Sequence, residues 1–202
     1  MKVNVVSLDT IEYSAVREYA RLLSQERQEK IDRYRFESDK LLSLAAGLLI
    51  RDATGDSRLT LNEHGKPCAA DGSVHFSVSH SGKCAAIAVD SAEVGLDVEK
   101  LPDRDFLPIA RRFYHPEELR FVEQAEDQAR AFTRIWTRKE AYLKQLGIGI
   151  ATDLKAFDTT SGELSERIVS IDLEGYVISV CAAGPISEKN IDISKIELKD
   201  LL

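Results

Sequence analysis

In Gly95-Leu96-Asp97-Val98-Glu99 apolar and acidic residues alternate with a period of two. That is strand periodicity: Leu96 and Val98 face one way, into a core, and Asp97 and Glu99 face the other. Two carboxylates on one face repel each other, and each raises the other's pKa unless a cation lies between them. An all-oxygen donor set suits magnesium, which takes one or two carboxylates together with substrate phosphates and water. An Asp-x-Glu pair is also common on solvated sheet edges, and taken by itself the pattern favours that reading.

Downstream stands Trp136-Thr137-Arg138-Lys139-Glu140-Ala141-Tyr142-Leu143-Lys144, inside a helical pattern running from Asp127 to Gln145. Glu140 and Lys144 are spaced i, i+4 and share a helix face. They are either a surface ion pair worth a few tenths of a kcal/mol or a metal carboxylate beside a phosphate-neutralising cation. Trp136, one turn earlier, reads as a core anchor where two lobes meet. Upstream, Phe76 to Ser79 alternates as a half-buried strand, and Ser79-His80-Ser81-Gly82 follows with several hydrogen-bond donors. Such a loop binds phosphate through its N–H groups or is plain turn chemistry with a surface histidine. Arg27 and Lys30 are i, i+3 on one helix and can meet one phosphate. Balanced by Glu26 and Glu29, they also fit an ordinary solvated face.

Working outward, Val3 to Leu8 reads as a first strand, too short and polar for a signal-peptide core. Apolar spacing over Ile11 to Leu23 is near helical, and Ser24 caps a charged helix from Gln25 to Arg35. Ser38 caps a stronger helix over Asp39 to Ala53, stopped by Gly55. Leu59 to Leu61 is a short strand before the turn at Asn62 to Pro67. Ala85 to Val89 and Val94 to Glu99 are joined by Asp90 to Glu93 like a β-hairpin. Helices follow near Phe106 to Phe113, Pro116 to Gln124 and Asp127 to Gln145, with Pro116 at a first helical position. Arg167 to Leu173 and Tyr176 to Ala182 are strands. The order predicts an α+β fold of two pseudo-symmetric lobes, 1–101 and 102–202, each a small, mostly antiparallel sheet packed with helices.

The 202 residues are 44% apolar and 30% charged, an ordinary globular balance. No apolar run approaches a membrane span. The net charge of −7 argues against nonspecific nucleic-acid binding, while local basic clusters still suit an anionic small ligand. Cys68, Cys84 and Cys181 are scattered, without disulfide or zinc spacing, as expected of free thiols in a reducing cytosol.

Taken together and in order, these stretches are specific. Gly95 to Glu99 followed by Trp136 to Lys144 resembles the paired signatures of the 4′-phosphopantetheinyl transferase superfamily. Gly65-Lys66-Pro67 and Phe76 to Gly82 resemble the two further signatures of its surfactin-synthetase-activating type. The resemblance implies that Asp97, Glu99 and Glu140 hold Mg²⁺, and that Lys144 and His80 contact the phosphates of coenzyme A. It implies that Arg27, Lys30, Ser43, Lys66 and Ser79 bind the nucleotide end of that co-substrate. Glu118 matches an acidic position that would help deprotonate the acceptor serine, with Glu140 the other candidate base. The implied partner is an apo acyl or peptidyl carrier protein, and the implied chain a cytoplasmic monomer. Arg111, Arg112, Arg134 and Arg138 form a basic group that either docks the carrier or is ordinary helix-surface charge.

The same carboxylates would serve a magnesium-dependent phosphohydrolase of a nucleotide or of coenzyme A, with water replacing the serine. A non-catalytic binding module is the third reading. The intact set of Asp97, Glu99, Glu140 and Lys144 argues against it.

Overall fold

The computed structural model describes residues 1–55, 59–149 and 152–202. In chain order the elements are β1 (Lys2–Ser7), α1 (Tyr13–Val16), α2 (Gln25–Arg33), α3 (Glu37–Thr54), β2 (Leu59–Leu61), β3 (Pro67–Ala69), β4 (His75–Ser81), β5 (Cys84–Asp90) and β6 (Gly95–Lys100). Then come α4 (Leu107–Phe113), α5 (Pro116–Gln124), α6 (Gln128–Leu146), α7 (Gly162–Glu166), β7 (Ile168–Leu173), β8 (Tyr176–Cys181) and β9 (Asp192–Ile196). Helices and small, mainly antiparallel sheets are mixed, the α+β class expected from the sequence.

One sheet has the order β4-β5-β1-β9 and a second the order β6-β8-β7; β2 and β3 form a separate pair. Among the described residues only β9, laid parallel to β1, departs from antiparallel pairing. The apolar side of α3, including Leu44, Leu48 and Leu49, packs with Leu8, Phe76 and Ile87 of the first sheet region. Val3, Val5, Ala86 and Ala88 pack instead against Leu96, Val98, Ile178 and Val180 of the second sheet. Leu96 and Val98 are fully buried, so the alternation read in Gly95 to Glu99 holds.

The segments Ala85 to Val89 and Val94 to Glu99 do not form the expected hairpin. β5 pairs with β4 and β1, while β6 pairs with β8. Local spacing favours a hairpin, but β6 gains a larger partner surface by lying between β8 and α6 and against β4. At α3 the N-cap is Phe36 and Ser38 lies inside the helix, so Ser38 is not the cap. Gly55 does end α3, at φ +57°. Ser24 caps α2 by accepting from the Arg27 amide. Cys84 and Cys181 are buried, Cys68 is half-buried, and all three are free.

Candidate active site

The site lies along the seam where β4, β6 and α6 meet. Gly95 is the residue that lets them meet. A Cβ there would lie 1.9 Å from the Ala141 carbonyl oxygen and 2.4 Å from the Gln145 amide nitrogen, both backbone atoms of α6. Only a residue without a side chain lets β6 approach the helix this closely.

The close approach brings Asp97 to Lys144, whose Nζ donates to Oδ1 at 2.6 Å and to the Ser79 hydroxyl at 2.9 Å. Ser79 itself donates to the same Asp97 oxygen at 2.7 Å. Its neighbours on the same strand face repeat the pattern. The Ser81 hydroxyl donates to Glu99 at 2.6 Å, and the Ser77 hydroxyl accepts from the Leu96 amide at 2.9 Å. Three serines at i, i+2 and i+4 thus lace one sheet edge to the other, and two of them hold the carboxylates of β6. Sequence reading named Ser79 and Ser81 as hydrogen-bond donors but not Ser77, and paired neither with a carboxylate of β6. The available signal was the Ser-x-Ser-x-Ser alternation, which becomes meaningful only once β4 is known to lie against β6.

Asp97 is buried, and its Oδ2 has no hydrogen-bond partner; neither has Oε1 of Glu140. Burial raises the pKa of Glu99, and the charges of Asp97 and Glu140 add to the rise. Glu140 is raised by burial and then by Asp97, with Lys144 opposing. Buried carboxylate oxygens without partners, grouped and mutually repelling, are the donor set of a hard cation. Among the described residues no three His, Cys, Asp or Glu side chains enclose a metal ion by themselves. Magnesium does not require such a cage, since it keeps waters and draws ligands from substrate phosphate. The residues present therefore fit the ion.

Near Lys144 is a group of basic residues. His80 has its pKa lowered first by the protein packed around it and then by the positive charges of Lys144, Lys30 and Arg27. Arg27 is itself lowered by burial, and Lys30 by burial and then by Arg27. His80 and the three basic groups within its electrostatic reach could hold an anion in an otherwise acidic protein. Lys66 lies in a cleft of about 290 Å³ that Glu140 and Lys144 also line. There it donates to Glu93 at 2.8 Å and to the Val94 carbonyl at 3.2 Å. A second cleft of about 420 Å³ opens at Ser81 and Glu99 and is walled by Phe106, Phe132 and Trp136. Trp136 stacks with Phe132 and meets Phe113 edge-on, so it anchors this aromatic wall.

Other expected residues lie elsewhere. Ser43 is buried within α3, its hydroxyl without a partner. Glu118 is fully buried against Lys139. Arg138 turns inward, donating to the carbonyls of Thr159 and Ile168, so it is not a surface charge. Arg134 pairs with Asp172, and Arg111 and Arg112 are exposed.

The sequence profile of the 4′-phosphopantetheinyl transferase superfamily matches residues 93–184, which include β6 and all of α6. The 4′-phosphopantetheinyl transferase Sfp of Bacillus subtilis (strain 168) is 30% identical over 206 residues, covering 89% of this chain and 90% of that one. The 4′-phosphopantetheinyl transferase gsp of Aneurinibacillus migulanus is 28% identical, covering 89% and 84%. Among solved structures, the Thermotoga maritima holo-[acyl-carrier-protein] synthase (AcpS) aligns over 44% of this chain and 61% of that one, at TM-score 0.36 and 14% identity. With similarity to the Bacillus enzyme running nearly end to end, the chain belongs to the 4′-phosphopantetheinyl transferase superfamily.

Proposed function

We propose that the chain transfers the 4′-phosphopantetheine arm of coenzyme A to a serine of an apo carrier protein. The observation that carries this reading is the seam around Lys144. Carboxylates with unsatisfied oxygens meet it from β6 and α6, and the cations Arg27 and Lys30 lie within electrostatic reach together with the His80 imidazole, whose charge burial disfavours. A pyrophosphate needs both: fixed positive charge for its own oxygens and acidic residues for its counter-cation.

In this reading Asp97, Glu99 and Glu140 would hold magnesium, which when bound polarises the phosphoryl oxygens and neutralises the leaving phosphate. Lys144 and His80 hold the phosphates, and Arg27, Lys30, Lys66 and Ser79 hold the nucleotide end; Ser43, buried within α3, is left out of that contact. The serine oxygen attacks the β-phosphorus, and the bond from that phosphorus to the bridging oxygen breaks. Adenosine 3′,5′-bisphosphate leaves. In this reading Glu140 takes the serine proton, help worth about 10²–10⁴-fold in such reactions. The aromatic cleft beside Glu99 gives the arm an apolar bed, and Arg111 and Arg112 face an acidic carrier surface.

In this reading the lobes are 1–101 and 102–202, with β6 as the strand that carries acidic ligands from the first lobe onto the second sheet. Action as a cytoplasmic monomer is part of the same reading. Among the described residues no helix is long and apolar enough to cross a membrane. The phosphohydrolase alternative finds no support in the relatives. Release of adenosine 3′,5′-bisphosphate tests the proposal: it should require an apo carrier protein, and carrier-independent release would replace transfer with hydrolysis.

A further inference from the structure

Lys139, next to Glu140 on α6, is fully buried and saturated. Its three N–H donors meet Glu118 Oε2 at 2.7 Å, the Leu154 carbonyl at 2.7 Å and the Phe157 carbonyl at 2.8 Å. The Phe157 ring lies over the ammonium at 4.2 Å. Glu118 is equally occupied. Its Oε1 accepts from the Thr159 amide at 2.9 Å and the Thr159 hydroxyl at 2.8 Å, while Oε2 accepts from the His115 amide at 3.0 Å as well as from Lys139. A carboxylate offers about four lone-pair sites, and here every one is taken. The Glu118 and Lys139 side chains are 0% and 1% exposed, so no acceptor serine reaches either.

We infer that Glu118 is not a proton acceptor but a positioning residue, which through Lys139 fixes the turn of α6 that aims Glu140 into its cleft. This rests on the transferase reading above. Adjacent helical residues point about 100° apart. Clamping Lys139 to α5 on one side and to the Leu154–Phe157 segment on the other therefore sets the direction of Glu140. The clamp also holds the segment that follows α6, whose Phe157 ring meets Tyr142 edge-on at 5.2 Å.

The test uses the full chain in four forms: unmodified, Glu118→Gln, Lys139→Met, and both together. Each single change leaves one buried charge without its partner, so the unfolding midpoint should fall by roughly 10 °C. The turnover number should fall on the order of 10²-fold through misplacement of Glu140. The double variant has no lone buried charge and should regain much of both. If it regains the midpoint while turnover stays at the Glu118→Gln level, Glu118 is a base and the inference is overturned. Additive losses in midpoint would overturn it too. Should the single variants fail to fold, Thr159→Val removes one hydrogen bond into Glu118 and neither charge. It should lower turnover several-fold with the KM for coenzyme A unchanged, and wild-type turnover would refute the clamp. An unmodified chain that transfers nothing would sink the transferase reading itself, while non-additive midpoints would still report the pair.

Discussion

Gly95→Ala is the sharpest test of how the site is assembled. The added Cβ would lie 1.9 Å from the Ala141 carbonyl oxygen, against 3.4 Å for the inner edge of ordinary contact. The obstructing atoms are helix backbone, so no side-chain rotation relieves them. β6 and α6 must part by about 1.5 Å, giving up close-packed contacts along the seam. Overpacking typically costs 1–3 kcal/mol, and an immovable neighbour puts this case near the top, at about 3 kcal/mol. For a chain of this size that lowers the unfolding midpoint by roughly 6–12 °C. The same displacement exceeds what the 2.6 Å Lys144–Asp97 contact can tolerate. Carrier modification should therefore drop on the order of 10²-fold even well below the new midpoint. Differential scanning fluorimetry and a carrier-modification time course read the two effects. A midpoint within about 2 °C of wild type, together with wild-type turnover, would refute the argument that close backbone approach builds this site.

Three further outcomes follow from the same geometry. Glu99 and Glu140 have pKa values raised by burial, so the stability they contribute in metal-free protein is full below the ordinary glutamate range and is lost as pH rises through the raised values. In EDTA at neutral pH, Glu140→Gln should thus raise the midpoint while abolishing transfer; a lowered midpoint would contradict the sign. Arg111→Glu with Arg112→Glu should raise the KM for the carrier and leave that for coenzyme A unchanged, and an unchanged carrier KM would remove these two arginines from the docking surface. Burial pushes the Cys84 and Cys181 thiols up to about 11, so a thiol reagent at neutral pH should label Cys68 alone until the chain unfolds.

Much of this architecture is legible in the sequence, because it rests on local patterns. The period of two in β4 and β6 and the helical spacing of α3 and α6 report burial directly. His115 and Pro116 mark the start of α5, where the His115 side chain and Glu118 form a capping box. What stays hidden depends on residues far apart in the chain. The β5–β6 turn looks like a hairpin locally, yet β6 finds its partner in β8, about eighty residues away. The last strand, β9, is mostly exposed and shows little alternation, so its pairing with β1 leaves no local trace. Arg138 and Lys139 look like surface charges beside Glu140. Only the fold shows that one is spent on the carbonyls of Thr159 and Ile168 and the other on Glu118. The glycine of Gly95-Leu96-Asp97-Val98-Glu99 is likewise visible as a residue but not as a requirement until α6 is in place.

The most direct test of the account is the mass of an apo carrier protein after incubation with this chain, coenzyme A and magnesium. A gain of one phosphopantetheine, lost with EDTA and in Asp97→Ala, is the predicted result. A carrier of unchanged mass, across acyl and peptidyl types and with coenzyme A bound to the chain, would contradict it.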